Sequence, residues 1–155
     1  MKLRISKRMA FTIISIVDIA YINSDRPIHT SDIASRHNIP KRYLEKVLQS
    51  LVKDNILKGT RGPGGGYILA REKRKISLAD IAKVVIKVEE SEQKKIQYDS
   101  DLKSWIDNVL NPIWQDMNNS NMAYLEKISL QDLFQIVAKK DIVLDNGNEI
   151  NNFII

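Results

Sequence analysis

Residues 61–67 combine a single arginine with the densest cluster of glycine in the chain. The run reads Arg-Gly-Pro-Gly-Gly-Gly-Tyr, and five of the six glycines of the chain lie between residues 56 and 70. A phosphate-binding loop requires a following Lys-Ser or Lys-Thr, or a final glycine that opens a helix. Neither is present, and β-prone runs flank the glycines on both sides. The segment therefore predicts the tip of a β-hairpin rather than a nucleotide-binding loop.

Such a tip could enter the minor groove of duplex DNA. Consecutive glycines lack Cβ atoms and permit close approach, and the minor groove is only about 6 Å wide. Arg61 is the candidate inserted cation, because narrow A·T-rich grooves concentrate negative potential. Gly64 and Gly65 are the candidate close contacts at the tip. The alternative is a plain hairpin turn with a solvated arginine.

A second set of polar side chains lies on the helix predicted at residues 40–54. Leucine and valine recur along it with a 3.6-residue period, which leaves the other face free to contact base edges or phosphates. Gln49 could pair with adenine, and Glu45 could accept from cytosine, while basic residues could reach guanine or phosphate. The alternative is an ordinary solvated helix face. The candidate DNA-contacting residues of this helix are Lys41, Arg42, Tyr43, Glu45, Lys46 and Gln49.

Other chemistries find little support in the residue types. The chain has no cysteine, which excludes disulfides, thiolate-held metal sites and a cysteine nucleophile. His29 and His37 are the only histidines, and their places at helix ends favour capping or solvent exposure over metal binding. Trp105 and Trp114 have the helical spacing of core or subunit-interface residues. No catalytic arrangement is evident, so we expect neither an enzyme nor a metal site.

The elements that must position the candidate residues form a winged helix. An amphipathic helix at 5–20 is followed by turn-forming residues at 23–27 and by a short helix at 31–37, which Thr30 could cap. A tight turn then leads to the helix at 40–54, with Pro40 at its first position, and to the hairpin. The basic, apolar N-terminus imitates an export signal, but Asp18 interrupts its apolar run. We therefore expect a cytoplasmic protein without a membrane partner.

The second half of the chain is predicted to be helical. Ser77 and Asp80 have the spacing of a capping box, which is repeated at residues 129–132 ahead of a last helix ending near residue 140. Residues 89–101 are charged and aperiodic, which predicts a loop or insert. A short helix at 102–110 follows, and Asn111-Pro112 predicts a cap and the first position of a longer helix. Residues 141–155 are predicted to form a flexible tail.

The charge differs between the two halves. Residues 1–75 contain 16 basic and 6 acidic side chains, whereas residues 76–155 contain 8 and 13. Such asymmetry indicates a nucleic-acid or membrane partner for the basic half. We expect the acidic half to face away from that partner.

Two motifs carry a family resemblance that covers residues 1–135. Tyr-Leu-Glu at 43–45, followed by the Arg-Gly-Pro-Gly-Gly-Gly-Tyr run at 61–67, resembles the bacterial winged-helix regulators that include the iron–sulfur cluster regulator IscR, the nitrite-sensitive repressor NsrR and the cysteine-metabolism repressor CymR. The resemblance implies a homodimer that binds an imperfect palindrome through a recognition helix and a wing. Glu45 matches the family's base-discriminating acid. The implied dimer interface consists of Ile113, Trp114, Met117, Tyr124, Leu125 and Ile128.

The chain departs from that family at its sensor. Many members hold an iron–sulfur cluster with three cysteines and a further ligand, and the corresponding positions here include Asn108 and Asn111. Asparagine is not a usual ligand of such clusters, and no thiolate exists in the chain. We therefore expect no cluster and no other cofactor.

These observations lead to one hypothesis for the whole chain. The expected fold is mainly α with a small β-hairpin wing, divided into a winged helix-turn-helix DNA-binding domain at 1–75, dimerisation helices at 76–140 and a tail at 141–155. The expected function is sequence-specific binding of double-stranded DNA by a homodimer, as a repressor rather than an activator, with an unknown small-molecule or protein effector. The alternatives are a protein-interaction module that keeps the fold without operator binding, and an RNA-binding winged helix.

Overall fold

The computed structural model describes residues 5–21 and 26–140. The tail predicted at 141–155 and most of the turn predicted at 23–27 lie outside the described residues. The described elements, in chain order, are α1 (Lys7–Tyr21), α2 (Thr30–His37), α3 (Lys41–Lys53), β1 (Leu57–Thr60), β2 (Gly66–Leu69), a 3₁₀ turn (Lys73–Lys75), α4 (Leu78–Glu92), α5 (Ser100–Trp105), a π-helical turn (Ile106–Leu110), α6 (Asn111–Glu126) and α7 (Leu130–Lys139).

Helices α2 and α3 form the predicted helix-turn-helix. Asn38 ends α2 in the left-handed conformation, with φ of 52°, and its N–H bonds back to the carbonyls of the last turn. The predicted cap at Thr30 was wrong: this residue is the first of the helix, and His29 precedes it without a capping side-chain hydrogen bond. The predicted apolar face of α3 is confirmed, since its central leucines and valine are fully buried: Leu44, Val47, Leu48 and Leu51.

Strands β1 and β2 form the predicted hairpin. They pair antiparallel, with Leu57 opposite Leu69 and Thr60 opposite Gly66. An isolated bridge joins Tyr67 of β2 to Ile28, through two backbone hydrogen bonds of 3.0 and 2.9 Å. The hairpin is therefore attached to the segment that leads into α2, which holds it beside the helix-turn-helix.

One buried core runs through both halves of the chain. Ile16 of α1, Leu48 of α3, Ile81 of α4 and Leu130 of α7 are all inaccessible to solvent and belong to a single cluster. The two capping boxes predicted for α4 and α7 are both present. Their cap residues, Ser77 and Ser129, also pair with each other in an antiparallel bridge. The boundary predicted at residue 75 is therefore crossed by a continuous core.

Asp18 is the buried charge of this core. Its side chain is 1% exposed and lies 2.5 Å from an Arg36 guanidinium nitrogen, while the Nε2 atom of His37 lies 3.3 Å from its second oxygen. A buried carboxylate requires such partners, since desolvation otherwise disfavours its charge. His37 is therefore half-buried against α1, rather than capping a helix or facing solvent as the sequence suggested.

The helices of the second half differ from the prediction at two places. Helix α4 continues to Glu92, so the loop predicted from residue 89 begins only at residue 93. The helix break predicted at Asn111 is absent, because α5, the π turn and α6 are continuous from residue 100 to 126. The Asn111 N–H donates to the carbonyl of Ile106, five residues earlier. This local rearrangement allows Pro112, which has no N–H, to lie within a continuous helix.

Candidate nucleic-acid interface

A basic and polar stripe lies on the exposed side of α3. Arg42, Lys46, Gln49 and Lys53 are all exposed, and their spacing of four, three and four residues places them on one line. This line lies opposite the four buried apolar residues of the helix. The spacing of the side chains along it suits contact with the edges of successive base pairs.

Two further predicted residues lie beside this stripe. Lys41 and Glu45 are exposed, and their charged atoms lie 3.9 Å apart, one helical turn from each other. Exposed pairs at this spacing contribute only a few tenths of a kcal/mol, so both side chains remain available.

Tyr43 has a different environment from the other predicted contacts. Its half-buried ring packs edge-on against Phe11, with ring centres 5.7 Å apart. The Arg8 guanidinium lies over the same ring, 4.8 Å from its centre. Tyr43 therefore joins α3 to α1, and Arg8 is an enclosed cation beside α3 that was absent from the predicted site. The basic residues near the N-terminus were visible in the sequence, but nothing in their spacing connected them to α3.

The glycines of the wing have two distinct roles. Gly64 lies at the exposed tip, and a Cβ atom there would meet nothing within 4 Å. Gly65 is buried, and its Cβ would lie 2.3 Å from the Thr60 carbonyl oxygen. Gly66 has φ of +142°, and its Cβ would lie 2.4 Å from the Ile28 carbonyl oxygen. The structure thus explains Gly65 and Gly66 by backbone packing, and leaves Gly64 and Arg61 exposed at the tip.

A groove separates α3 from the wing and brings two predicted contacts together. Gln49 and Val52 line it from α3, Thr60 and Arg61 line it from the hairpin, and Thr30 lines it from the start of α2. Gln49 and Arg61 are twelve residues apart in sequence, and the fold places both beside the same opening.

The basic run that follows the hairpin makes several contacts within the chain. Arg71 donates to the Asn55 carbonyl at 3.0 Å, and Arg74 and Lys75 both contact Glu72. Hydrogen bonds from Arg74 and Lys75 lower the pKa of the Glu72 carboxyl. Arg74 and Lys75 are nevertheless 72% and 61% exposed, so their weak pairs with Glu72 leave them accessible to a nucleic acid.

An acidic residue of the second half lies against α3. The Glu92 carboxylate is 3.0 Å from the Lys46 ammonium and 2.5 Å from an Arg8 guanidinium nitrogen. Hydrogen bonds from Arg8 and then Lys46 hold the pKa of Glu92 below its ordinary value. The expectation that the acidic half faces away from the basic face is therefore wrong at this residue.

A line of exposed apolar side chains follows the continuous helix from residue 100 to 126. Three of the predicted dimer-interface residues are strongly exposed: Ile113, Trp114 and Tyr124, at 59%, 57% and 67%. The other three are half-buried: Met117, Leu125 and Ile128. The same line continues into α5 and the π turn through residues that the predicted set omitted: Leu102, Trp105, Val109 and Leu110. Their helical spacing in the sequence would have been sufficient to include them.

The residues at the family's cluster positions do not fit an iron–sulfur cluster. The Asn108 amide donates to the Ser104 carbonyl at 2.9 Å, and the Asn111 amide donates to Asp107 at 3.1 Å. These are contacts along one helix surface, and they supply no thiolate. The described ranges contain no group of three His, Cys, Asp or Glu side chains that could hold a metal ion.

Membrane insertion of a helix is not supported by the described part of the chain. None of its helices combines the length and apolar sequence needed to cross a bilayer.

Comparison with known proteins agrees with this arrangement. The model of the Rrf2 family, described as "Iron-dependent Transcriptional regulator", matches residues 5–136. The regulator IscR of Xenorhabdus nematophila is 28% identical over 144 residues, which cover 92% of this chain and 84% of the relative. IscR of Photobacterium profundum is 26% identical, covering 97% of this chain and 90% of its own length.

Solved structures show the same fold. The T. potens IscR structure superimposes with a TM-score of 0.64 at 27% identity, covering 91% of this chain and 93% of the other. CymR of B. subtilis, the global cysteine regulator of that organism, gives 0.60 at 23% identity, covering 85% and 96%. The relatives are transcriptional regulators and not enzymes. With its helix-turn-helix, its wing and this match over most of its length, the chain belongs to the Rrf2 family of DNA-binding transcriptional regulators.

Proposed function

We propose that this protein is a homodimeric repressor that binds a palindromic operator with α3 in the major groove and the wing in the minor groove. The observation that carries the proposal is the shared groove between α3 and the wing, which brings Gln49 and Arg61 together. A protein that contacts two adjacent grooves of one duplex needs this pairing of a helix and a loop.

The exposed stripe of α3 supports reading of the major groove. Gln49 can bond bidentately to adenine, and Arg42 can do so to guanine. Glu45 can accept a hydrogen bond from the amino group of cytosine, which would make it a residue that selects among bases. Lys41 and Lys46 supply charge for phosphate contacts, which position the protein without selecting sequence.

The wing supports contact with the minor groove. Arg61 is exposed beside a tip at which Gly64 presents no side chain. The guanidinium would enter where A·T-rich sequence narrows the groove and concentrates negative potential. Gly65 would contribute by shaping the turn, because its position beneath Thr60 excludes any side chain.

The apolar line on α5 and α6 supports a homodimer. Large apolar side chains in contiguous exposed lines mark protein interfaces. A second copy of the chain is the proposed occupant, since an antiparallel pair of such helices would cover both lines by one two-fold axis. The same axis would place two α3 helices on one duplex, which predicts a palindromic site.

Repression follows most simply from this arrangement. Occupancy of an operator blocks transcription without any further contact, whereas activation requires an additional surface for the polymerase. We further propose that the protein acts without an iron–sulfur cluster, that its effector is another small molecule or a protein, and that it works in the cytoplasm with bacterial DNA. The purified protein should be colourless, and visible iron–sulfur absorption would contradict the proposal.

The salt dependence of duplex binding tests the central proposal. Each dimer should make several phosphate contacts, so the logarithm of affinity should fall with the logarithm of salt with a slope of about −6 to −9. Fluorescence anisotropy with a labelled mixed-sequence 40-base-pair duplex would measure it, with duplex RNA as competitor. A slope shallower than about −2 would refute electrostatic binding of DNA and favour the interaction-module alternative. Equal binding to RNA would refute a preference for duplex DNA and favour the RNA-binding alternative.

A further inference from the structure

The end of α4 contacts the middle of the exposed stripe on α3. Both oxygens of the Glu92 carboxylate are engaged, one by Lys46 at 3.0 Å and the other by Arg8 at 2.5 Å. The Lys46 ammonium also donates to the Ser91 hydroxyl at 3.1 Å. One residue of the basic stripe is therefore held by two consecutive residues of the acidic half.

This contact differs from the other ion pairs near α3. The pair between Lys41 and Glu45 lies within one helix and is 3.9 Å long. Lys87 and Asp54 pair at the C-terminal end of α3, beyond the stripe. Glu92, by contrast, lies 46 positions along the chain from Lys46 and binds a side chain that lies between Arg42 and Gln49 on the candidate DNA face.

A carboxylate in this position has the chemistry of a DNA phosphate. Both groups are anionic oxygens that accept charge-assisted hydrogen bonds from lysine. The ammonium of Lys46 cannot give its full charge to a phosphate while Glu92 neutralises it. Because the Lys46 side chain is half exposed, the pair is weak enough to open.

Arg8 has a different part in this contact. Its side chain is only 13% exposed, enclosed by the Tyr43 ring and Glu92. It therefore anchors the Glu92 carboxylate beside α3 and does not itself reach outward. Ser6 adds a second attachment, through a 2.7 Å hydrogen bond from its hydroxyl to Glu89.

We propose that Glu92 is an internal competitor of DNA, whose carboxylate occupies Lys46 and must be displaced before that lysine contacts a phosphate. The proposal rests on the proposed function, since it assumes that the α3 face binds DNA. Glu92 is the last residue of α4, and residues 93–99 connect it to α5. A change in the last turn of α4 would therefore release Lys46. Because residues 93–99 join that turn to α5, a movement of the proposed dimerisation helix could be passed to Glu92 and so to the affinity for DNA.

The test compares two variants with the same change in charge. Glu92→Gln should bind the labelled mixed-sequence duplex about three- to thirtyfold more tightly than the wild-type dimer. The reason is that the two Lys46–Glu92 pairs of the dimer, one in each protomer, no longer compete with DNA phosphates. Glu90→Gln is the matched control, since Glu90 is exposed on the same helix and its side chain has no ion pair within the described residues. It should change affinity less than about twofold, because distant surface charges are screened by salt.

The same Glu92→Gln change in a Lys46→Gln variant separates competition for Lys46 from a general effect of charge on DNA affinity. In the Lys46→Gln variant, the gain from Glu92→Gln should vanish, because the competed cation is absent. A gain that persists there, or a Glu92→Gln affinity equal to or below that of Glu90→Gln, would overturn the proposal while leaving DNA binding intact. Absence of salt-dependent duplex binding in both the wild type and Glu92→Gln would instead overturn the proposed function. Far-UV circular dichroism of each variant would verify that the fold is retained.

Discussion

Helices α3 and α6 are both amphipathic, yet their apolar faces have opposite environments. In α3 the apolar side chains are buried by the rest of the same chain, and Leu44 and Leu48 are fully inaccessible. In α6 the side chains of Ile113 and Trp114 are more than half exposed. Within the described residues, neither α5 nor α6 contains a buried side chain.

A single chain can bury the apolar face of α3 but not that of α6. Burying an apolar side chain contributes about 1.5–3 kcal/mol, and α3 obtains this stabilisation from α1, α2, α4 and β1. The continuous helix from residue 100 to 126 extends about 40 Å, and the described part of the chain covers its apolar line only in part. Its stabilisation is expected to come from a partner copy, so the two helices should respond differently to mutation.

The largest effect is expected in the α3 core. Leu48→Ala should lower the free energy of unfolding by about 3 kcal/mol, since it leaves a cavity at a fully buried site. Urea denaturation followed by circular dichroism would measure this change. Ile136→Ala on α7 is the control, because Ile136 is 44% exposed and should cost less than about 1 kcal/mol. Equal costs at the two sites would show that α3 is not a specifically packed element.

Mutations on the exposed apolar face of α6 should weaken dimerisation rather than destabilise the folded chain. Ile113→Asp should weaken dimerisation at least about a hundredfold, because it places a charge in the proposed apolar interface. Sedimentation equilibrium should then detect a monomer whose helical content resembles that of the wild type. Asn119→Asp introduces the same charge on the opposite side of α6 and should leave the dimer intact. A dimer in both variants would place the interface elsewhere.

A smaller and more selective effect is expected at the wing. Arg61→Ala should weaken binding about tenfold to duplexes with A·T-rich flanks, and about twofold where the flanks are G·C-rich. The physical reason is that only the narrow groove concentrates potential at the inserted cation. Competition between the two duplexes would measure the ratio of the affinities for A·T-rich and G·C-rich flanks. Lys58→Ala removes a charge from the same hairpin and should weaken both equally; a uniform loss for Arg61→Ala would make Arg61 a phosphate contact.

Local sequence patterns predicted the elements whose stabilising contacts join residues close together in the sequence. The two capping boxes at Ser77 and Ser129, the buried stripe of α3 and the glycine-rich hairpin all depend on residues within a few positions of one another. The prediction failed at Asn111-Pro112, where both residues also suit a helix start. A π turn accommodates the proline instead, and nothing in the local pattern distinguishes the two outcomes.

Local sequence patterns predicted only part of the candidate site. The polar face of α3 and the wing tip follow from periodicity and glycine content. The packing of Arg8 on Tyr43 and the contact of Glu92 with Lys46 join residues tens of positions apart. Charge counting placed Glu92 away from the basic face of α3, since it treated the whole acidic half as one region that faces away from the nucleic-acid partner. An average over eighty residues cannot locate a single carboxylate.

Residue types and their spacing are sufficient to predict the helix-turn-helix, the wing and the absence of thiolates, because apolar periodicity, glycine clusters and cysteine content are read directly from the chain. Three further features follow only from the folded structure. It joined both halves in one core, brought Gln49 and Arg61 to one groove, and set Glu92 against the basic stripe. These depend on how helices pack in three dimensions, and packing responds to the combined shape of many distant side chains rather than to any local pattern.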